Sequence, residues 1–345
     1  MRTLVIHKAK DLRIESSTTS LPAPGEVKIA LANGGICGSD LHYYQHGGIG
    51  DSIRLKEPMI LGHEVSGYVT VVGDNVSGLS VGDLVAVSPS RPCNACQFCE
   101  NAYFNHCENM RFYGSAMPFP HIQGAFREEL VAVASQCVKA SGLSSAEAAM
   151  AEPLAVCLHA AKRAGDLDGK RVLITGSGPI GTLSLLAARA AGAKEIVITD
   201  LATAALEYAQ RVGADKTINI MAEPDGLAQY QAGKGYFDIL FECTGVASAL
   251  ASGIQALRPR GVIMQLGLGG DMHIPMQALT AKELDLRGSF RFHEEFATAV
   301  EQMQNGKVDV KPLISHTFNL DQAVAAFEMA SDRSAAMKVQ LNFNS

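Results

Sequence analysis

A chain of 345 residues with 29 Lys and Arg, 35 Asp and Glu and a formal net charge of −6 has no overall electrostatic case for nucleic acid or an acidic membrane surface. With 47% apolar and 19% charged residues it has the make-up of a folded protein, long enough for about two domains and able to bury a core without disulfides. No apolar run approaches the ~18 residues of a membrane span, and MRTLVIHKAKDLRIES carries charges where an export signal is apolar, so a cytoplasmic protein is expected.

The first 140 residues read mostly as strands and loops. Runs at 27–31, 65–72 and 83–87 are rich in Val, and VVGDNVSGLSVGDLVAV alternates such runs with Gly-Asp turns, as a small irregular β-barrel does. The texture changes at Ser144, where Ser144 and Glu147 form a capping box ahead of an Ala-rich helical run through Ala164. From Lys170 strands and helices alternate: RVLIT, a helix over 179–191, EIVIT, a helix over 203–212, KTINI, FDILFECTG, a helix near 247–257 and GVIMQLG. That order predicts a parallel sheet covered on both faces. The alternation fades near residue 287, and the tail from Phe290 reads as a helix, a strand and a final β-segment.

Three groups of residues carry chemistry. Gly176, Gly178 and Gly181 form G-S-G-P-I-G directly after RVLIT and at the start of a helix. The first allows a tight turn, the second lets backbone approach a pyrophosphate, and the third lets helix and strand pack closely, with the helix N-terminus favouring the negative charge. Asp200 ends the next strand, nineteen residues past Gly181, where a carboxylate accepts from the adenosine ribose hydroxyls and repels a 2′-phosphate. No Arg stands at 201–203, so NAD is expected over NADP.

Cys93, Cys96, Cys99 and Cys107 have the spacing C-x2-C-x2-C-x7-C, against which stand coincidental free thiols or two disulfides. Four thiolates complete a tetrahedral Zn²⁺ and leave no open position, so this is read as a structural site. The third group is dispersed: Cys37 in GGICGSDLHYY, His63 and Glu64 in LGHEVSG, and Glu152 in AEPLAV. Each alone has a bland reading as core or local hydrogen bonding. Together they supply the thiolate, imidazole and carboxylates of a catalytic zinc with one exchangeable position.

CGSDLHYY, GHEVSG, VGDLVAV, the four-cysteine segment, AEPLAV and TGSGPIG, in this order, resemble the zinc-dependent medium-chain dehydrogenase/reductases over essentially the whole chain, most of all the polyol and sugar-acid branch that contains sorbitol dehydrogenase. The resemblance implies an α/β protein with a GroES-like β-barrel catalytic domain (1–150 and 288–345) and a Rossmann doubly wound domain (151–287). It implies Cys37, His63 and Glu64 as ligands of a catalytic zinc. Glu152 then binds it directly or through water, and the choice between the two glutamates stays open. Cofactor contacts fall on Gly176, Gly178, Pro179, Ile180, Gly181, Asp200, Leu266, Gly267, Leu268, Phe290, Arg291 and Phe292. Ala205 stands where polyol relatives often carry an Arg beside the ribose, which leaves NAD over NADP resting on Asp200.

By the same resemblance Ser39 and His42 relay the substrate's proton toward solvent, His having a pKa suited to the last step. A carboxylate on the substrate calls for an Arg, either Arg291 or Arg111, with Tyr43 and Glu152 for hydroxyls. The stretches MRFYGSAMPFPH, KGYFD and LRGSFRF are similar to sugar-acid members of the branch. They point to L-idonate oxidised at C5, with sorbitol, xylitol or L-threonine as alternatives and a dinucleotide-binding protein without activity as the non-enzymatic one. A homodimer or homotetramer formed through the cofactor domain is expected, with GVIMQLG and its neighbours available for pairing.

Overall fold

The computed structural model describes residues 1–344. Its N-terminal half folds around strand Glu26–Gly35, which pairs antiparallel with Glu64–Val72, Glu129–Val133 and the C-terminal strand Lys338–Asn342. Leu84–Val87, Cys137–Lys139 and Ile314–Asn319 complete this seven-stranded sheet. The alternation of Val27, Ile29 and Leu31 turns one face inward onto Phe126, Phe327 and Leu341, which close the barrel core.

The expected parallel sheet has six strands, in the order Lys216–Asn219, Glu195–Asp200, Arg171–Thr175, Phe237–Glu242, Leu257–Gln265, Asp285–Gly288. Numbered along the chain this is 3-2-1-4-5-6, the doubly wound dinucleotide-binding order. Val172, Leu173 and Ile174 are fully buried because helices cover both faces, so the strand reads as an unbroken apolar run. GVIMQLG lies inside the sheet, flanked on both sides, and is not free to pair; the edges are Lys216–Asn219 and Asp285–Gly288.

Three features depart from the sequence reading. CGSDLHYY holds a helix, Gly38–His46, whose polar sequence gives no apolar period and which is started by a box between Cys37 and Asp40. A second unforeseen helix, Ala323–Ser331, lies between the last two strands. The core of the parallel sheet also extends past the expected border at 287. Phe296, Ala299 and Val300 of helix Glu295–Gln304 belong to the same buried cluster as Ile174 and Leu154.

The Ser144 capping box is present: the Ser144 hydroxyl accepts from the Glu147 N–H at 3.3 Å and the Glu147 carboxylate accepts from the Ser144 N–H at 2.9 Å. It starts a short helix, Ser145–Ala148, followed by Ala151–Ala164. Ser144→Ala is expected to lower the free energy of denaturant unfolding by about 1 kcal/mol with turnover unchanged; an unaltered unfolding midpoint would show that the cap contributes nothing.

Candidate active site

Strand register builds the site. Gly35 is opposite Glu64 in one antiparallel pair and opposite Gln340 in another, so Cys37, Glu64 and Lys338 arrive together at one end of the sheet. A side chain at Gly35 would collide with the Glu64 carboxylate and crowd Lys338, which explains the glycine there. The ligand atoms of Cys37, His63 and Glu64 lie within 4.8 Å of one another. Glu152 does not join that set. It sits in the first turn of helix Ala151–Ala164, buried, and feels the charges of His63, Glu64 and Cys37.

Without a cation these groups are poorly accommodated. Burial, then repulsion by Glu64, pushes the Cys37 thiol up to about 11. Burial likewise pushes Glu152 to about 8, against the attraction of His63 and with the repulsion of Glu64 and Cys37. His63 Nδ1 is buried without a hydrogen bond, and the charge of buried Glu64 is met by Lys338 alone. A divalent ion among sulfur, imidazole and carboxylate would relieve all of this, and the donor types are those that suit zinc. The residues therefore fit the metal that the sequence motifs implied.

Two supporting residues went unread in the sequence. The Asp40 carboxylate, fully buried, accepts from the Gly62 N–H at 3.1 Å and the Cys37 N–H at 3.0 Å, and stands 3.8 Å from His63 Nδ1. That distance is too long for a hydrogen bond, so Asp40 acts on the imidazole as a neighbouring carboxylate charge while it ties the Cys37 and Gly62 backbones together. Lys338 is 3% exposed and brings Nζ to 2.6 Å and 2.5 Å from the two Glu64 oxygens, while also donating to the Ile36 carbonyl at 3.2 Å. Asp40 could have been suggested by its place three residues after Cys37, at a helix start. Nothing local points to Lys338, which is 274 residues from its partner.

The four-cysteine segment forms the second group, its sulfurs also within 4.8 Å of one another. N–H groups aim at them: the Ala95 backbone and the Asn109 amide draw Cys93 down to about 6, while burial raises Cys107 to about 12. All four are free thiols rather than disulfides, and the cluster has a core of its own, just Cys96, Cys99 and Cys107 with Phe104 and Met110. Such a lobe lacks the apolar area to hold itself, which fits a closed metal site.

At the glycine turn, Gly176 has φ +89° and a methyl group at Gly181 would strike the Gly176 carbonyl. Gly178, at the helix N-cap, faces open space, which leaves room for a phosphate group. Asp200 is less free than expected. Its carboxylate accepts from the N–H groups of Ser177, Leu201 and Ala202 at 2.6, 2.7 and 2.9 Å, leaving about one of its four lone-pair sites for a ribose. Ala205 is buried, and its carbonyl accepts from the Ser177 hydroxyl at 2.9 Å. Leu266 and Gly267 both donate backbone N–H to the Glu242 carbonyl at 2.9 Å, and Leu268 is 82% exposed beyond them.

Ser39 and His42 share one face of helix Gly38–His46, three residues apart. Burial, then His46 and Arg333, lowers the His42 pKa. Tyr43 is buried and its hydroxyl accepts from the Ala116 N–H at 3.1 Å. Arg291 lies over the Phe112 ring at 4.2 Å, and Phe112 is 5.5 Å from the His63 ring. Among the described residues no carboxylate lies within salt-bridge reach of that guanidinium. Arg111 is exposed on the strand face opposite buried Phe112 and is not brought to the site.

Comparison with known proteins agrees with this geometry. Residues 23–142 match the alcohol dehydrogenase GroES-like domain and residues 179–305 the zinc-binding dehydrogenase domain. The chain is 44% identical to the L-idonate 5-dehydrogenase (NAD(P)(+)) of Escherichia coli over 91% of each chain, and 38% identical to the sorbitol dehydrogenase of Gallus gallus over 98% of this chain and 95% of that one. The crystal structure of the Escherichia coli L-idonate 5-dehydrogenase superposes with a TM-score of 0.95 at 42% identity, covering 99% of this chain and 98% of that one.

Lys338→Met leaves the Glu64 carboxylate buried beside Cys37 and Glu152 with no cation. The chelator-treated protein is then expected to lose about 3–5 kcal/mol of stability, while zinc recovers more of it than in the wild type. Thermal melts with and without chelator check this; identical melts for the two proteins would remove Lys338 from the charge balance.

Proposed function

The chain belongs to the zinc-binding dehydrogenases with an alcohol dehydrogenase GroES-like domain, and we propose that it oxidises a secondary hydroxyl of a sugar acid, L-idonate at C5, with NAD as acceptor. The convergence of Cys37, His63 and Glu64, with His63 Nδ1 buried and without a hydrogen bond, carries the reading. In it those three residues hold a zinc ion, with Glu152 beside it, and Cys93, Cys96, Cys99 and Cys107 hold a second. When bound, zinc supplies Lewis acidity toward a hydroxyl or ketone oxygen and NAD takes up hydride.

The chain's own residues do the rest. Asp40 fixes the backbone at Cys37 and Gly62, on either side of the cluster, and Lys338 restrains the Glu64 carboxylate. Ser39, on the first turn of its helix, receives the hydroxyl proton and passes it along the helix face to His42. The lowered pKa of His42 keeps the imidazole neutral near pH 7 and able to accept. The Tyr43 hydroxyl, already accepting from Ala116, keeps its own proton to donate to a substrate oxygen. Arg291 feels the charge of Glu152 but has no carboxylate in salt-bridge reach among the described residues, which supports a carboxylate-bearing substrate over an uncharged polyol.

The glycine turn, Ile180, the 266–268 turn and the 290–292 segment contact the cofactor in this reading, and Asp200 favours NAD. The exposed edge strand Asp285–Gly288, with Leu286 44% exposed, supports a homo-oligomer joined through this domain. No helix is long and apolar enough to cross a membrane, and a cytoplasmic site of action is part of the proposal.

Steady-state rates on metal-replete protein with L-idonate, sorbitol, xylitol and L-threonine, each with NAD and NADP, test the substrate. Arg291→Leu is expected to raise KM for L-idonate by about 10- to 100-fold and to leave sorbitol little changed; preference for an uncharged polyol would reject the sugar acid. Ser39→Ala is expected to lower kcat about 100-fold with metal content unaltered, and normal turnover would take Ser39 out of the proton path.

A further inference from the structure

The four-cysteine lobe does more than fold itself. Three consecutive residues, Phe104, Asn105 and His106, form one tight turn and all of them grip the segment that carries Arg291. The Asn105 amide, itself buried, donates to the Phe290 carbonyl at 2.9 Å. The Phe104 ring lies 4.2 Å from the His293 ring, and the His106 ring stacks 5.9 Å from Phe290. Between these holds stands Arg291, with φ +54°, a conformation that a non-glycine residue keeps only when its surroundings impose it.

The lobe's exit completes the bracket. Phe112, just past the cysteines, has its ring 4.2 Å from the Arg291 guanidinium and 5.5 Å from the His63 imidazole. Burial lowers the Arg291 pKa to about 10, still well above neutrality, so the group remains charged where it is held. One segment of chain, 104–112, thus touches both the metal-ligand side of the cleft and the cation facing it.

We infer that the lobe is a strut that fixes how far the Arg291 guanidinium stands from the Cys37–His63–Glu64 centre, and that it thereby selects substrates by the separation between the reacting hydroxyl and the carboxylate. The inference rests on the sugar-acid reading above. Phe104 and Asn105 are positioning residues: they touch neither substrate nor cofactor and act through Arg291.

The test uses the full-length, metal-replete protein with Asn105→Ala, Asn105→Asp and Phe104→Leu. Asn105→Asp keeps the side chain's shape and removes the donor, so it separates the lost bond from lost packing. Metal content verifies that the lobe stays loaded. Hydrogen exchange at residues 289–293 is expected to speed up in each variant. At saturating NAD, KM for L-idonate is expected to rise about fivefold, while kcat and the KM or Ki of sorbitol stay within about twofold. Unchanged exchange at 289–293 in loaded protein overturns the strut, whatever the substrate. Faster exchange with parallel changes for L-idonate and sorbitol overturns the selective role. Arg291→Leu, measured alongside, separates the two ideas: if it leaves KM for L-idonate unchanged, the carboxylate reading falls and takes this inference with it.

Discussion

The register of three antiparallel strands decides what the cleft can do. Gly35 pairs with Glu64 on one side and with Gln340 on the other, so a thiol, a carboxylate and a lysine are forced to one point in the sheet. A slip of one residue in either pairing turns Glu64 or Lys338 to the opposite face and leaves the other charge buried alone. The constraint spans the chain, since Lys338 lies in its last strand. The site is therefore incomplete until the polypeptide has built the parallel sheet and returned to the barrel.

That return also makes the two halves mutually dependent. The apolar cluster beneath the parallel sheet takes in Ala86 and Ala140 from the barrel side, and the lobe touches the 290–293 segment from above. The glycine turn and the ligand cluster are each legible as separate motifs. What brings them into one reaction is a small set of non-local contacts, of which the Arg291–Phe112–His63 stack is the clearest.

What the sequence made legible was whatever is encoded locally. The cysteine spacing, the glycine turn after an apolar strand and the Ser144 box each depend on fewer than about twenty neighbouring residues, and all three stand in the structure as expected. Lys338 was invisible because its meaning comes from a partner in a distant strand. The Gly38–His46 helix was missed because its buried face is two adjacent tyrosines with a buried Asp40 and shows no apolar helical period. The border near 287 was placed where the strand–helix alternation fades, yet the core continues through Phe296 and Val300, which pack by shape and show no change of composition. Asp200 was read as an open acceptor because the turn that occupies three of its hydrogen bonds is a matter of backbone geometry.

The two cysteine-bearing groups show how one element can be set to different tasks. Four thiolates would carry enough negative charge for a divalent ion and close its coordination, giving the lobe rigidity and no open position. The barrel site is built against closure. Only one of its donors is a thiolate, one carboxylate is held by Lys338, and Glu152 stands outside the convergent set with its pKa raised by burial. Among the described residues Lys338 is the one buried Lys or Arg, and it lies against the one carboxylate in the convergent set. Three protein donors would leave a divalent ion one exchangeable position, which is the room a substrate oxygen would need. The buried lysine keeps the Glu64 carboxylate tolerable inside the protein and would compete with a metal for it, and both effects follow from its place in the last strand, two residues before the Gln340–Gly35 pair.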